Sequence, residues 1–165
     1  MDSKARSRIE ALLDAQSFVE IGALVKSRST DFLQGTEKAA SDGVICGYGS
    51  ISGKPVYIYA QNRDVLSGSV GEMHGRKIAH LYDMAMKMGA PVVELLDSSG
   101  IRLEEATDAL YALSKLYKKK AQAKGLIPLY SVLYGQAGGG MALLASLSDF
   151  CFMENQEGRI FINAP

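Results

Sequence analysis

The chain has 165 residues, with 18 lysines and arginines against 18 aspartates and glutamates, and no net charge at pH 7. The length suits one domain with a substantial core, and the charge balance disfavours nucleic acids and anionic membranes as partners. No apolar run approaches the roughly 18 residues that span a bilayer, and no signal-peptide core is visible, so we expect a cytoplasmic protein without a membrane span.

The N-terminal region predicts one short helix followed by irregular chain. Between Ser7 and Ala15, apolar residues recur at the three- and four-residue spacings that are typical of an amphipathic helix. Residues 22–42 are polar without a clear period, which predicts an irregular arm. We therefore predict two parts: residues 1–42, with the helix and the arm, and residues 43–165, which form the main domain.

The main domain opens with two β-rich runs, residues 43–51 and 55–61, on either side of a glycine turn. This pattern predicts a β-hairpin. Ser69 and Glu72 have the spacing of a capping box, and apolar residues then recur at helical period until a glycine and a proline. A helix is predicted over residues 70–88.

Strands alternate with helices in the remaining chain. The apolar run from Pro91 to Leu96 is typical of a strand buried on both faces. The elements predicted after it are a helix over 103–124, a strand over 126–133, a helix over 141–147, and strands over 149–153 and 159–162. Crossover helices favour parallel pairing of the strands that they connect, so the predicted fold class is α/β.

Two successive predicted strands are each followed by a loop suited to ligand binding, Asp97 to Arg102 and Gly135 to Gly140. In open α/β sheets, ligands bind beyond the carboxyl ends of the strands, so both loops can face one pocket. Three glycines before Met141 leave backbone N–H groups bare at a helix start, which suits an oxyanion. The alternative is that these glycines only permit close packing of helix on sheet, and the glycines alone do not decide.

Other catalytic centres are not indicated by the sequence. His74 and His80 lie six residues apart on one predicted helix, so they face different directions and cannot bind the same metal ion. His74 is interpreted as a packing or hydrogen-bonding residue. The sequence contains neither a phosphate-binding P-loop nor a nucleophile elbow.

Several chemically distinctive residues receive a structural interpretation. Asp97 is interpreted as the cap of the loop that follows its strand. The lysines at 118–120 are interpreted as a solvated helix face. Cys46 and Cys151 are too few for a disulfide scaffold or a four-thiolate zinc site, and both are interpreted as small buried apolar residues.

Several ordered motifs together resemble the biotin-dependent carboxyltransferase family. This family includes the β subunits of acyl-CoA carboxylases, their relatives in sodium-pumping decarboxylases, and the β subunit of malonate decarboxylase. The segments that carry the resemblance are Asp42 to Gly49, Gly68 to Ile78, Gly89 to Val92, Asp97 to Glu105, and Gly138 to Phe150. The resemblance extends from the first helix to the last residue.

The resemblance implies a crotonase-like fold, a superhelix of repeated ββα units that is incomplete at the C-terminus here. It also implies that backbone N–H groups stabilise the enolate of an acyl thioester, usually of coenzyme A. Gly139 and Gly140 match the family's paired glycines at the helix start, and Gly100 and Ile101 match the opposing loop. The residues assigned to substrate and coenzyme A by the same resemblance are Ser67, Gly68, Ser99 and Gly138.

The resemblance further implies partners outside this chain. Biotin is expected on a separate carrier protein, and a second carboxyltransferase domain or subunit is expected to supply the biotin half of the site. A homo- or hetero-oligomer is expected and a metal ion is not. By comparison with the family, the sequence stops within a domain, so we expect either a fragment or a partner chain that completes it.

Two departures from the family pattern lie in one loop. Ser99 stands where a second glycine is common, and Ile101 where a small alanine is common. The donors are backbone groups and survive both changes, whereas the bulkier Ile101 can restrict the acyl chain. The sequence also lacks the zinc-binding cysteine cluster of the bacterial acetyl-CoA carboxylase β subunit, which disfavours that branch.

Three functions stay open at this point. The first is transfer of a carboxyl group between biotin and an acyl-CoA thioester. The second is a malonate decarboxylase β-type subunit acting on an acyl-carrier thioester, because residues 67–72 and 157–159 look similar to that enzyme. The third is a non-catalytic half-subunit that serves assembly.

Overall fold

A mixed β-sheet lies at the centre of the computed structural model, which describes residues 3–28, 30 and 41–163. Its strands are β1 (Val19–Ile21), β2 (Val44–Ile51), β3 (Lys54–Gln61), β4 (Val92–Ser98), β5 (Leu129–Gly138), β6 (Phe150–Met153) and β7 (Arg159–Phe161). The helices are α1 (Lys4–Leu12), α2 (Glu72–Met88), α3 (Ala106–Ala123) and α4 (Gly140–Ser146). These elements confirm the predicted α/β class.

The sheet order is β1-β2-β3-β4-β5-β6, with β7 also paired to β5. Strands β1 to β3 pair antiparallel, and a tight turn joins β2 to β3, where Ser52 and Gly53 both have positive φ. The later strands are parallel because a helix carries the chain back before each of β4, β5 and β6. Strand β5 pairs with β6 along Tyr130 to Leu133 and with β7 along Gln136 to Gly138.

The two faces of the sheet are covered by different helices. On one face, α2 and α3 pack over Tyr57, Tyr59 and Leu96. On the other face, α1 packs over Ile58 and Ala60. Because successive strand residues point to opposite faces, β3 contributes to both cores. Because β3, β4 and β5 run parallel, their carboxyl ends lie at the same edge of the sheet, between the two helix layers.

A buried ion pair, Lys120 with Glu94, connects α3 to the middle of β4. Both side chains are fully excluded from solvent. The carboxylate of Glu94 also accepts hydrogen bonds from Tyr82 Oη and Ser131 Oγ. The interpretation of residues 118–120 as a solvated face is therefore wrong at Lys120, because its position in α3 points into the core.

Several other expectations differ from the structure. Residues 135–138 belong to β5 and are not a loop, since Gln136 to Gly138 pair with β7. The capping box is wrong: α2 begins after Gly71 without a side-chain cap, and the Glu72 N–H donates to Glu105 Oε2 at 2.6 Å. Cys46 is buried as predicted, but Cys151 is exposed because it lies on the short outer strand β6.

The N-terminal region has more order than its sequence pattern indicated. Helix α1 begins at Lys4, where Ser3 caps it, and strand β1 was not predicted. Within the arm predicted over 22–42, residues 22–28, 30 and 41–42 contain no helix or strand; Ser29 and residues 31–40 lie outside the described residues. The division at residue 42 stays a prediction. None of the described helices has the length and apolar character of a membrane span.

Candidate functional site

The two loops singled out in the sequence meet at the carboxyl ends of β4 and β5. Ser98 at the end of β4 is in register with Ala137 of β5. Two residues further along the chain, Gly100 has a φ of 114°, and a Cβ atom there would lie 3.2 Å from the Gly138 carbonyl oxygen. The close approach of these two backbones requires glycine at position 100. The structure therefore brings the predicted loops side by side.

The backbone around Ile101 is held by one neighbouring residue, Val70. The Val70 N–H donates to the Gly100 carbonyl at 2.8 Å, and the Val70 carbonyl accepts from the Arg102 N–H at 3.0 Å. In such a parallel bridge, the residue between the two contacts turns its own N–H to the opposite side. The Ile101 N–H thus points away from Val70, and it donates to no group in the described ranges.

Of the four residues predicted to form an oxyanion hole, two already use their N–H groups. The Gly100 N–H donates to Ser98 Oγ at 3.1 Å, and the Gly139 N–H donates to the Phe161 carbonyl of β7 at 2.9 Å. Gly140 is the first residue of α4, so its N–H has no acceptor inside the helix. The free donors on the two loops are therefore those of Ile101 and Gly140.

Gly140 is closely surrounded by side chains of α3. A Cβ atom at this position would overlap Leu113 Cδ2 and the Tyr117 hydroxyl. The Tyr117 hydroxyl also donates to the Gly140 carbonyl at 2.7 Å. Both interpretations of the glycine run thus apply here, since Gly140 permits close packing and also has a free N–H.

A cavity of about 310 Å³ opens beside the Ile101 loop. Its lining residues are Leu66, Ser67, Ser69, Ser99, Ile101, Arg102, Leu103 and Glu104. Two of the residues predicted to bind substrate, Ser67 and Ser99, line it. The other two lie in packed backbone: Gly68 is buried against the Asp97 carbonyl, and Gly138 lies against the Phe161 ring.

His74 is fully buried between the hairpin and the end of β4. The Gln61 side-chain oxygen accepts from the Asp97 N–H, which turns the Gln61 amide nitrogen towards His74 Nε2 at 3.3 Å. Nε2 must therefore accept, and Nδ1 donates to the Asp42 carbonyl at 3.2 Å. Burial, followed by the positive charge of Arg102, lowers the pKa of His74 from 6.5 to about 3. This confirms a packing and hydrogen-bonding role.

The neutral state of His74 predicts a specific pH dependence of stability. Between pH 6.5 and 3 the unfolded chain binds a proton at His74 and the folded chain does not, so stability falls as pH falls. The expected slope from this group is up to about 1.4 kcal/mol per pH unit. Urea unfolding of His74→Gln should show a flatter acid limb than the wild type. An equal flattening in His80→Gln, which changes an exposed side chain, would contradict this.

Sequence reasoning missed the buried polar residues that support the site. Arg102 is 1% exposed, and its guanidinium bonds Glu105, Ser69 and the Asp42 carbonyl. The sequence signal that could have identified them is the pair of opposite charges three residues apart, Arg102 and Glu105, at the end of the first loop. Asp97 was misread as a loop cap, because it lies inside β4 and forms ion pairs with Arg8 at 3.1 Å and with Arg63 at 3.5 Å.

Metal binding has no support within the described part of the chain. Among those residues, no group of three or more histidine, cysteine, aspartate or glutamate side chains is placed to hold an ion. The two loops offer backbone hydrogen-bond donors, and a cavity lies beside the loop that carries Ile101. Such a site suits a ligand whose oxygen carries developing negative charge.

The sequence matches one family model and is similar to proteins of known function. Residues 3–165 match the family model described as the carboxyl transferase domain. The chain is 42% identical over 161 residues to the methylmalonyl-CoA decarboxylase subunit alpha of Veillonella parvula. It is 39% identical over 161 residues to the propionyl-CoA carboxylase beta chain of Roseobacter denitrificans. Each match covers 98% of this chain and 32% of the relative.

Solved structures show the same arrangement of elements. The transcarboxylase 12S structure, a hexamer assembly with hydrolysed methylmalonyl-coenzyme A bound, superposes with a TM-score of 0.93 at 34% identity, covering 98% of this chain and 31% of that one. A Pseudomonas malonate decarboxylase hetero-tetramer in complex with malonate superposes with a TM-score of 0.83 at 31% identity, covering 90% of this chain and 57% of that one. The chain thus spans about a third of its carboxylase relatives.

Proposed function

Since the chain belongs to the carboxyl transferase domain family, we propose that it is the acyl-CoA-binding N-terminal half of a biotin-dependent carboxyltransferase. The observation that carries the proposal is the pair of free backbone donors on two adjoining loops, Ile101 beside a cavity and Gly140 at the start of α4. The names of the similar proteins, a methylmalonyl-CoA decarboxylase subunit and a propionyl-CoA carboxylase chain, support a short acyl-CoA as the substrate.

The proposed mechanism uses the two N–H groups as an oxyanion hole. Adding or removing a carboxylate next to a thioester carbonyl passes through an enolate, whose negative charge collects on the carbonyl oxygen. Fixed N–H dipoles aimed at that oxygen stabilise the charge without reorganisation, by about 3 to 4 kcal/mol per donor. A side-chain base is not required for this part, which fits a His74 kept neutral by burial.

The cavity beside Ile101 is the proposed entrance for the thioester. Ser67 and Ser99 offer hydroxyl groups to the coenzyme A portion. Gly68 and Gly138 lie in packed backbone next to the two loops. The Ile101 side chain is half-buried at the cavity wall, where it would limit the length of the acyl group. We propose the crotonase-like superhelix of ββα units for the complete fold, with residues 43–165 as its incomplete first domain.

Biotin, on a separate carrier protein, is the proposed carboxyl donor or acceptor. We assign none of the described residues to biotin, because the free donors and the adjoining cavity are taken up by the thioester. Its binding is assigned to a second carboxyltransferase domain or subunit in a homo- or hetero-oligomer.

A malonate decarboxylase β-type function is the second candidate. It is supported by the likeness to the Pseudomonas malonate decarboxylase. The higher TM-score with transcarboxylase favours an acyl-CoA substrate over a carrier-protein thioester. A half-subunit that serves assembly alone would need neither the cavity nor the free N–H groups.

Calorimetric titration tests the proposed function directly. The chain, alone and then with the product of the neighbouring gene, is titrated with acetyl-, propionyl-, methylmalonyl-, malonyl- and glutaconyl-CoA, and with free coenzyme A as the control. We expect micromolar binding of a short acyl-CoA, about 8 kcal/mol of binding free energy. Equal affinity for free coenzyme A would contradict recognition of the thioester.

Each further outcome of the titration separates the three functions. Binding of propionyl- or methylmalonyl-CoA supports the carboxyltransferase. With malonyl-acyl-carrier protein as a further titrant, binding of the malonyl group only in that form supports the malonate decarboxylase function. The absence of binding in every format, for a folded chain, supports the assembly subunit.

A further inference from the structure

A left-handed turn of three successive residues forms one wall of the cavity. Leu66, Ser67 and Gly68 have φ values of 47°, 55° and 64°. Only glycine adopts this conformation without steric strain, so Leu66 and Ser67 are both strained here. Strain of this kind persists only where the surrounding structure holds it in place, and it is common at ligand sites.

Ser69 and Arg102 hold this turn. The Ser69 hydroxyl donates to the Leu66 carbonyl at 2.6 Å, and the Ser69 N–H donates to the same carbonyl at 3.0 Å. Arg102 in turn donates from Nε to Ser69 Oγ at 3.2 Å and from Nη2 to the Ser69 carbonyl at 2.7 Å. All polar groups of Ser69 are thus used to fix the end of the turn.

The Arg102 guanidinium is itself fixed on its other side. Its Nη1 donates to Glu105 Oε1 at 2.8 Å, while Glu105 Oε2 accepts the N–H of Glu72 at the start of α2. Its Nη2 also donates to the Asp42 carbonyl at 3.1 Å. A fully buried arginine with four bonds to three chain segments keeps those segments in one fixed arrangement.

The turn is connected to the proposed donor at Ile101 by two routes. The Ser67 carbonyl accepts the Ser99 N–H at 3.1 Å. Val70, directly after Ser69, contacts the residues on both sides of Ile101 and so sets the direction of its N–H. A movement of Ser69 would therefore tilt the donor without touching the substrate.

We propose that Arg102 and Ser69 are positioning residues, which hold the left-handed turn and Val70 so that the Ile101 N–H faces the thioester oxygen. This inference rests on the proposed function, because it assigns the arrangement to the same oxyanion hole. A role in folding alone would also use the buried ion pair of Arg102 with Glu105. It would not require Arg102 to bond both the hydroxyl and the carbonyl of Ser69 at the cavity wall.

The test uses Ser69→Ala and Arg102→Lys in the complete natural protein. The first variant removes the hydroxyl, and the second keeps a positive charge beside Glu105 but cannot reach both Ser69 and Asp42 with one nitrogen. Ser131→Ala is the matched control, because it also removes a fully buried serine hydroxyl bonded to a buried charge, the Glu94 carboxylate, in the core. Ser69→Ala keeps the test decisive if Arg102→Lys does not fold.

Three quantities are measured: the melting temperature, hydrogen exchange of peptides covering residues 66–71 and 99–102, and kcat and KM for the acyl-CoA that the wild type binds. We expect both variants to exchange faster in these peptides and to lose about tenfold in kcat, with a smaller change in KM. Ser131→Ala should lose stability at a wild-type kcat.

Two results for the variants and one for the wild type would overturn the inference. Unchanged exchange at residues 99–102 with an unchanged kcat would leave the proposed function standing and remove the positioning role. A loss of kcat in Ser131→Ala as large as that in Ser69→Ala would mean that any buried hydroxyl has the same effect. A wild-type protein that binds no acyl thioester would refute the proposed function and this inference with it.

Discussion

Replacing Gly140 with alanine should reduce the rate of the intact enzyme by about 100-fold or more. The added methyl group would overlap Leu113 Cδ2 and the Tyr117 hydroxyl, so the first residue of α4 must move away from α3. That movement takes the Gly140 N–H out of line with the proposed position of the thioester oxygen. Alanine is the better helix former, so loss of helix propensity does not explain the expected effect.

Steady-state kinetics with the acyl-CoA identified by titration would measure this loss, which we expect mainly in kcat. The control is Gly53→Ala in the turn between β2 and β3, at the opposite end of the sheet from the site. With a φ of 75° and no neighbouring atom within 4 Å, it should lower stability and leave the rate unchanged. A Gly140→Ala enzyme within threefold of the wild-type rate would remove Gly140 from the oxyanion hole.

Replacing Lys120 with methionine should cost about 3 to 5 kcal/mol of unfolding free energy. The substitution keeps most of the length of the side chain but leaves the Glu94 carboxylate in a fully buried site without its positive partner. The remaining hydrogen bonds, from Tyr82, Ser131 and Ser148, do not neutralise that charge. Such a loss is a large part of the 5 to 15 kcal/mol that is typical of a folded domain.

Urea unfolding of a double-mutant cycle separates the charge from the packing. Glu94→Gln together with Lys120→Met removes both charges and retains the shape, so it should be more stable than Lys120→Met alone. If the double variant is no more stable than Lys120→Met, the missing charge is not the cause. Lys119→Met is the matched surface control: Lys119 pairs with Asp83 in a partly exposed site, and less than about 1 kcal/mol is expected.

The fold could be predicted largely because its local patterns agree with its tertiary structure. Helices α2 and α3 and the β2–β3 hairpin have clear periodicity and turn residues, and they appear where expected. The errors occurred where tertiary contacts override local preference. Residues 136–138 have the composition of a loop but pair with β7, and Lys120 has the chemistry of a surface residue but meets Glu94 in the core.

The two loops of the candidate site could be located from the sequence, but the N–H groups that stay free in them could not. Strand ends and glycine runs located both loops, since these depend on local sequence. Which N–H groups stay free depends on contacts made by distant residues, namely Ser98 Oγ, the Phe161 carbonyl and Val70. The same holds for Arg102, whose partners at Asp42 and Ser69 are brought together only by the folded chain.

Strand β7 determines how many backbone N–H groups are free at the candidate site. The Gly139 N–H is the neighbour of the Gly140 N–H, and it is unavailable to a ligand only because it donates to the Phe161 carbonyl of β7. Because β7 is three residues long and pairs with the end of β5 alone, few bonds hold it there. Displacement of this strand would release a further N–H next to the two free donors. A strand held by three paired residues thus sets how many N–H groups the proposed site can offer to an anion.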